Sequence, residues 1–226
     1  LILDACYPCI PGNVGNATTY DFPVRYKEVR GASSEKLINQ RDPSLLALFI
    51  DAAQELEREG VRAITGACGF MALFQRQVAQ AVHIPVFISS LLQVPFVHRI
   101  LPPGRSVGII TANKAQLTSE HFESVGITPD MPVVVYGMED QDEFRTSILD
   151  EKGTLDSDLI EKEVCGVASR MKEENPNLGA VLLECSDLPP YAAAIQKVTD
   201  LPVFDFITMI NHVHSAVCRT RYSGFM

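Results

Sequence analysis

Residues 63–87 and 180–204 can be set one above the other without a gap, "AITGACGFMALFQRQVAQAVHIPVF" over "AVLLECSDLPPYAAAIQKVTDLPVF". Ala63 falls on Ala180, Cys68 on Cys185, and Pro85-Val86-Phe87 on Pro202-Val203-Phe204. Phe74 meets Tyr191 and Val78 meets Ile195, so apolar helix positions coincide as well. Each block reads as an apolar strand, a cysteine, an amphipathic helix and a short second strand. Self-similarity at one fixed shift marks a repeated supersecondary unit. A second pairing extends it: "LILDA" and "GIITA" open the two halves as comparable strands and set Asp4 beside Thr111. The repeat restricts the chain to two related α/β halves.

The rest of the sequence fits that frame. Short apolar runs alternate with longer amphipathic stretches, the pattern of α/β folds with parallel sheets. Strands are expected at 1–5, 24–31, 61–66, 85–89, 106–111, 132–137, 178–184 and 201–206. Helices are expected between them: one with Asp42 as N-cap, Pro43 at the first position and Gly60 beyond its end, then 70–82, a helix near Pro95, 114–125, 139–150, 156–174, 188–198 and 207–220. The helix after each "PVF" strand can cross to the other half. The expected division is therefore a first domain of 1–89 plus 207–226 and a second of 90–206.

The repeat puts Cys68 and Cys185 at the carboxyl end of a strand and just before a helix, where parallel α/β sheets bind ligands. A helix start favours a thiolate. Two sulfurs approaching a ligand from opposite sides suit removal of a proton from one face of a carbon and delivery to the other. Free N–H groups beside them could hold a carboxylate.

Composition narrows the partners. A net charge of −9 argues against nucleic acid and anionic membranes, but not against a small anionic substrate. Six cysteines, with no basic-then-apolar leader, suggest reduced thiols and a cytoplasmic location. Cys6 and Cys9 form a C-x-x-C, but it runs into "IPGNVGN" rather than opening a helix, which disfavours redox chemistry and leaves them as candidate site lining. The loop that follows offers Asn13, Asn16 and Thr18 as polar contacts in a lid or wall. Arg25 and Lys27 read as a solvated edge, Cys165 and Cys218 as helix packing, and the histidines as surface or partly buried. His212 and His214 face different ways, and His83, His98 and His121 lack ligand spacing, so no metal is expected. No nucleotide-binding glycine motif is present.

The two-half organisation, "GACGF", "VGIITAN" and "LECSDLPPYA" together resemble the aspartate/glutamate racemase superfamily, which includes hydantoin racemases and maleate isomerases. The resemblance covers nearly the whole chain. It implies two Rossmann-like α/β domains related by a pseudo-two-fold axis, with the site in the cleft between them. It also implies a cofactor-independent racemase or epimerase of an amino acid, a related carboxylate or a hydantoin. Maleate isomerase-like chemistry with a cysteine nucleophile, or a non-catalytic binding protein on the same fold, are the alternatives. On that resemblance Cys68 and Cys185 are the catalytic pair. Gly69, Phe70, Ser186 and Asp187 hold the substrate, with Asp4 and Thr111 at the ends of the opening strands, and the oligomer is a homodimer or larger. Amino-acid racemases usually carry Asn-Thr where Gly69-Phe70 stands, and Thr where Ser186 stands. Glutamate racemases place His at Asp187. These departures put aspartate and glutamate in question as substrates, and a less polar amino acid or a cyclic relative such as a hydantoin fits equally well.

Overall fold

The computed structural model describes residues 1–225, so Met226, the last residue of the expected first domain, lies outside the described residues. The apolar runs become strands β1 (Ile2–Leu3), β2 (Glu28–Val29), β3 (Ile64–Thr65), β4 (Val86–Phe87), β5 (Ser106–Thr111), β6 (Val133–Gly137), β7 (Leu178–Leu183) and β8 (Val203–Phe204). Every strand pairing is parallel. In the second half the order is β6-β5-β7-β8. In the first half β1 pairs with β2 and β3 with β4. The Leu1 amine donates to the Thr65 carbonyl at 2.8 Å, which sets β1 beside β3. The resulting order β2-β1-β3-β4 matches the second half and is consistent with a pseudo-two-fold relation. All six residues of β5 are buried. That agrees with its uninterrupted apolar run, since strands of parallel sheets are covered on both faces.

Strands in the first half are shorter than their sequence suggests. Only Glu28 and Val29 of 24–31 join a ladder. Upstream, Arg25 and Lys27 reach Glu59 and Glu55 in ion pairs at 2.5 Å, so side chains tie this segment to the neighbouring helix.

That helix, α1 (Leu45–Arg58), begins after Ser44 rather than at Pro43. Asp42 accepts the Ser44 N–H at 2.9 Å and forms a turn ahead of the helix instead of capping it. Gly60, at φ +88°, closes the far end. The expected helix at 70–82 divides into a 3₁₀ segment, Gly69–Phe74, and α2 (Gln75–Gln80). The remaining helices are α3 (Val94–Ile100), α4 (Ser119–Ser124), α5 (Asp142–Phe144), α6 (Ser157–Glu174), α7 (Ala192–Thr199) and α8 (Phe206–Val217). A 3₁₀ turn at Pro189–Tyr191 leads into α7, as the one at Gly69–Phe74 leads into α2.

Two π turns, Glu35–Asn39 and Arg145–Leu149, share details that no residue identity reveals. Each is followed by a non-glycine residue in the left-handed region, Arg41 at φ 48° and Glu151 at φ 51°. The same pair of backbone bonds closes each one, Gln40 to Glu35 with Asp42 to Lys36, and Asp150 to Arg145 with Lys152 to Thr146. Glu151 then reaches into the first half, accepting the Cys6 N–H at 3.0 Å and the Ser34 hydroxyl at 3.4 Å.

One apolar cluster runs through both halves and joins Phe49 and Phe70 to Phe144 and Leu183. A second packs Val94 and Val97 of α3 against Val107, Ile109, Ala180 and Leu182. The third packs Phe206, Met209 and Ile210 of α8 against Val14 and Phe87, and the Phe22 and His214 rings stack at 3.6 Å. Asp205 caps α8 by accepting the Thr208 N–H at 2.7 Å. Asp205→Ala should therefore lower stability by about 1 kcal/mol, read as a fall in Tm, while Asp205→Ser should lose much less. Among the described residues no helix is long and apolar enough to cross a membrane.

Candidate functional site

The repeat brings Cys68 and Cys185 to one cavity. Each ends the stretch that follows a central strand, and each leads into a 3₁₀ segment that turns the chain back over the sheet. Both are free thiols, and both are buried. The cavity they line measures about 20 Å³ and takes its walls from both halves of the chain, with Tyr7, Ser34 and Phe70 facing Leu149, Ser186 and Asp187. It is partly open, and its free space is about that of one water.

The electrostatics are those of buried acids with no cation beside them. Burial pushes the Cys68 thiol above its usual value, and Glu184 adds to the rise; the N–H groups of Phe70 and Met71 work against it. Burial raises Cys185 further, helped by Asp187 and Glu184. Asp187 is itself raised by burial, against hydrogen bonds that favour its carboxylate. Those bonds come from Asn13 Nδ2 at 2.5 Å, Tyr7 Oη at 3.3 Å and Cys185 Sγ at 3.5 Å. Cys185 and Asp187 thus form a thiol–carboxylate pair held in place by the loop after β1. Among the described residues lining the cavity there is no Lys, Arg or His.

The other expected site residues divide into three groups. Gly69, Phe70, Ser186 and Asp187 line the cavity. Asn13 and Thr111 lie behind it, Asn13 on Asp187 and Thr111 donating to Glu184 Oε2 at 2.8 Å. Asp4 is not brought to the cavity: it is exposed and accepts the Gly31 N–H at 3.0 Å, because β1 ends before its carboxylate can turn inward. Thr18 donates to the Asn16 side chain, and Asn16 donates to the Cys9 carbonyl, all within their own loop. Cys6 and Cys9 are exposed free thiols, and Cys218 is exposed rather than packed. His121 is fully buried, not at the surface. It caps α4 through Thr118, and burial lowers its pKa to about 4.

Two residues of the site escaped the sequence reading. Tyr7 sits in an irregular loop with no periodicity. Glu184 carried a signal, an acidic residue closing the run "LGAVLL", where a buried strand would otherwise stay apolar.

Comparison with known proteins bears on both family and chemistry. A family model described as Asp/Glu/Hydantoin racemase matches residues 27–210. A dimethylsulfoniopropionate lyase of Durusdinium sp. clade D is 31% identical, over 91% of this chain and 69% of its own length. Dimethylsulfoniopropionate lyases 3 and 6 of Emiliania huxleyi (strain CCMP1516) are each 33% identical over 92% of this chain, which spans 56% of their length. Among solved structures, arylmalonate decarboxylase aligns with a TM-score of 0.61 at 13% identity, covering 97% of this chain and 93% of that one. Allantoin racemase from Pseudomonas fluorescens aligns at 0.62 and 12%, covering 86% and 83%. These two share the fold.

The expectation of a racemase is overturned by these relatives. The curated proteins that match along nearly the whole chain are named as lyases, and the racemases are matched in fold. The pair of cysteines in the cavity does not by itself fix the reaction. The chain belongs to the Asp/Glu/hydantoin racemase family.

Proposed function

We propose that this protein is a lyase that eliminates a sulfide from a β-sulfonium carboxylate of the dimethylsulfoniopropionate type. One observation carries the reading beyond the relatives' names. The cavity offers two buried carboxyl groups and two aromatic rings, with no cationic side chain among its described lining residues. A substrate with net negative charge would meet like charge there. A zwitterion whose cationic end carries methyl groups can rest that end on Tyr7, Phe70 and Asp187. Its carboxylate falls to neutral donors.

The chemistry follows from the pair Cys185 and Asp187. A sulfonium bound nearby supplies the positive charge the site lacks, and an opposite charge lowers an acid's pKa. Asp187 then takes the Cys185 proton, and the thiolate removes a proton from the carbon α to the carboxylate. The freed electron pair forms the C=C bond, the β-carbon–sulfur bond breaks, and its electrons leave on a neutral dialkyl sulfide. An acrylate remains, Cys185 is again a thiol, and Asp187 returns one proton to water. The leaving group needs no protonation, so a single base suffices. Cys68 lies on the opposite wall as a neutral positioning group. The site residues in this scheme are Cys185 and Asp187 for the proton, Asn13 and Tyr7 for orientation, and Gly69, Phe70 and Ser186 for contact with substrate.

The domain division 1–89 with 207–226 and 90–206 is part of the same proposal. The packing of α8 on Val14 and Phe87, and of α3 on β5 and β7, supports it.

The test is direct. The purified chain is given dimethylsulfoniopropionate, dimethyl sulfide is followed in the headspace, and acrylate is followed by proton NMR. Equal amounts of the two products are expected. A folded protein that releases neither would refute the lyase reading.

A further inference from the structure

Glu184, at the end of β7, is a fully buried acidic group that the scheme above does not use. Its backbone is fixed by Glu184 N–H to the Ile110 carbonyl at 2.8 Å and by the Ser90 hydroxyl, which donates to the Leu183 carbonyl at 3.0 Å and the Glu184 carbonyl at 3.3 Å. One carboxyl oxygen, Oε2, accepts from Thr111. The other, Oε1, is buried and has no partner. That oxygen lies against Gly69, where a Cβ would sit only 2.1 Å away. Glu184 and Gly69 both line the cavity.

We infer that Glu184 acts as a neutral carboxylic acid whose Oε1–H donates to the carboxylate of the substrate and strengthens that bond as charge grows on it. The inference rests on the lyase reading for its substrate class. Its logic is one of donors. A substrate carboxylate in this cavity finds no Lys, Arg or His. The Ser186 hydroxyl is already given to the Ala67 carbonyl at 2.8 Å, the Met71 N–H donates to the Cys68 carbonyl at 3.1 Å, and the Phe70 N–H favours the Cys68 sulfur. Because Oε2 receives the Thr111 hydroxyl, a proton on Glu184 belongs on Oε1, the side that faces Gly69. A fixed donor aimed at the oxygens of a developing enediolate lowers the barrier to α-proton removal. The proton stays on Glu184 throughout.

The titratable groups facing Glu184 are Cys68 before the 3₁₀ segment, Cys185 next along the chain, Asp187 beyond it and Tyr7 from the loop after β1. None of them can offer it a stabilising cation. Burial accordingly holds its pKa up at about 8, with the Thr111 hydrogen bond opposing. The acid form is present below that value and lost above it, so activity should decline on the alkaline side.

Two measurements test this. The first labels glutamate side-chain carboxyls with carbon-13 and assigns Glu184 as the resonance missing from Glu184→Gln. It should report a neutral acid at pH 7, titrate near pH 8 and move when 3-(trimethylammonio)propionate, a zwitterion with a poorer leaving group, is added. An ionised resonance at pH 7, or one indifferent to that zwitterion, would overturn the proposal. The second is the pH profile of dimethyl sulfide release. Glu184→Leu should lose on the order of a hundredfold in kcat. Glu184→Gln, which keeps a neutral donor, should recover most of that and show no decline near pH 8. If Glu184→Gln is as impaired as Glu184→Leu, the carboxylate charge is what matters and the proposal fails. If the parent chain releases no dimethyl sulfide, the lyase reading falls, and the resonance still decides the state of Glu184.

Discussion

Cys185→Ala should lower kcat for dimethyl sulfide release by about 10² to 10⁴, the range expected when a positioned proton acceptor is removed. The loss should come with little change in fold, because deleting one buried sulfur costs about 1 kcal/mol. Cys185→Ser should be nearly as inactive, since a hydroxyl held by Asp187 is a far weaker acid than a thiol. Asp187→Asn should follow it, because the amide cannot accept the thiol proton. Cys68→Ala should lose less than Cys185→Ala, since an elimination needs a base on one face of the carbon only. The measurement is steady-state kinetics on all four variants at one pH. Equal, complete loss in both cysteine variants would mean that the two sulfurs share the proton work, and the one-base scheme would have to be abandoned.

Gly69→Ala should damage both stability and activity. An added Cβ would lie 2.1 Å from Glu184 Oε1 and 2.5 Å from the Glu184 backbone carbonyl oxygen. The carboxyl group could swing aside only by giving up its hydrogen bond from Thr111, and the backbone at Glu184 cannot yield without disturbing its bond to Ile110 of β5. Overpacking of this kind costs about 1–3 kcal/mol in stability. The functional loss should be greater. Gly69 opens the 3₁₀ segment next to Cys68, so a shift there moves both the Glu184 donor and the wall opposite Cys185. Misplacing a reacting group by about 1 Å can cost a hundredfold, and losing an oxyanion donor costs at least as much. Together they give on the order of 10³ or more in kcat/KM. A Gly69→Ala protein with near-parental kinetics and an unchanged Tm would show that Glu184 is not wedged as described.

Much of this could be read from the sequence because it lay in patterns. The register of Cys68 on Cys185 carried the common cavity, and the near-continuous apolar runs at 106–111 and 178–183 became the two central strands. The helices after the two "PVF" strands pack on β5 and β7 and on Val14 and Phe87 respectively. What escaped has physical reasons. The segments after both cysteines are 3₁₀ before they are α, and periodicity does not separate the two over one or two turns. The matching π turns share geometry without sharing residues: Arg41 corresponds to Glu151, opposite in charge. Asp4 aligned well with Thr111, but a side chain's direction at a strand end depends on where the ladder stops. The reaction was the least legible part. A thiol pair between two domains is compatible with inversion and with elimination, and the difference lies in charge complementarity that only the assembled cavity displays.

The raised thiols carry one more consequence. The acrylate left by the proposed elimination is a weak electrophile, but a thiolate held beside its double bond, with the carboxylate hydrogen-bonded, can add to it. An enzyme that kept Cys68 or Cys185 ionised at rest would alkylate itself with its own product. Here burial and neighbouring carboxyls hold both sulfurs in the protonated, sluggish form. Only the cationic substrate would create the thiolate, and that positive charge is extinguished when the C–S bond breaks and the sulfide leaves neutral. The feature that makes these cysteines look like poor bases in the empty protein would then be what protects them from suicide inactivation, turnover after turnover.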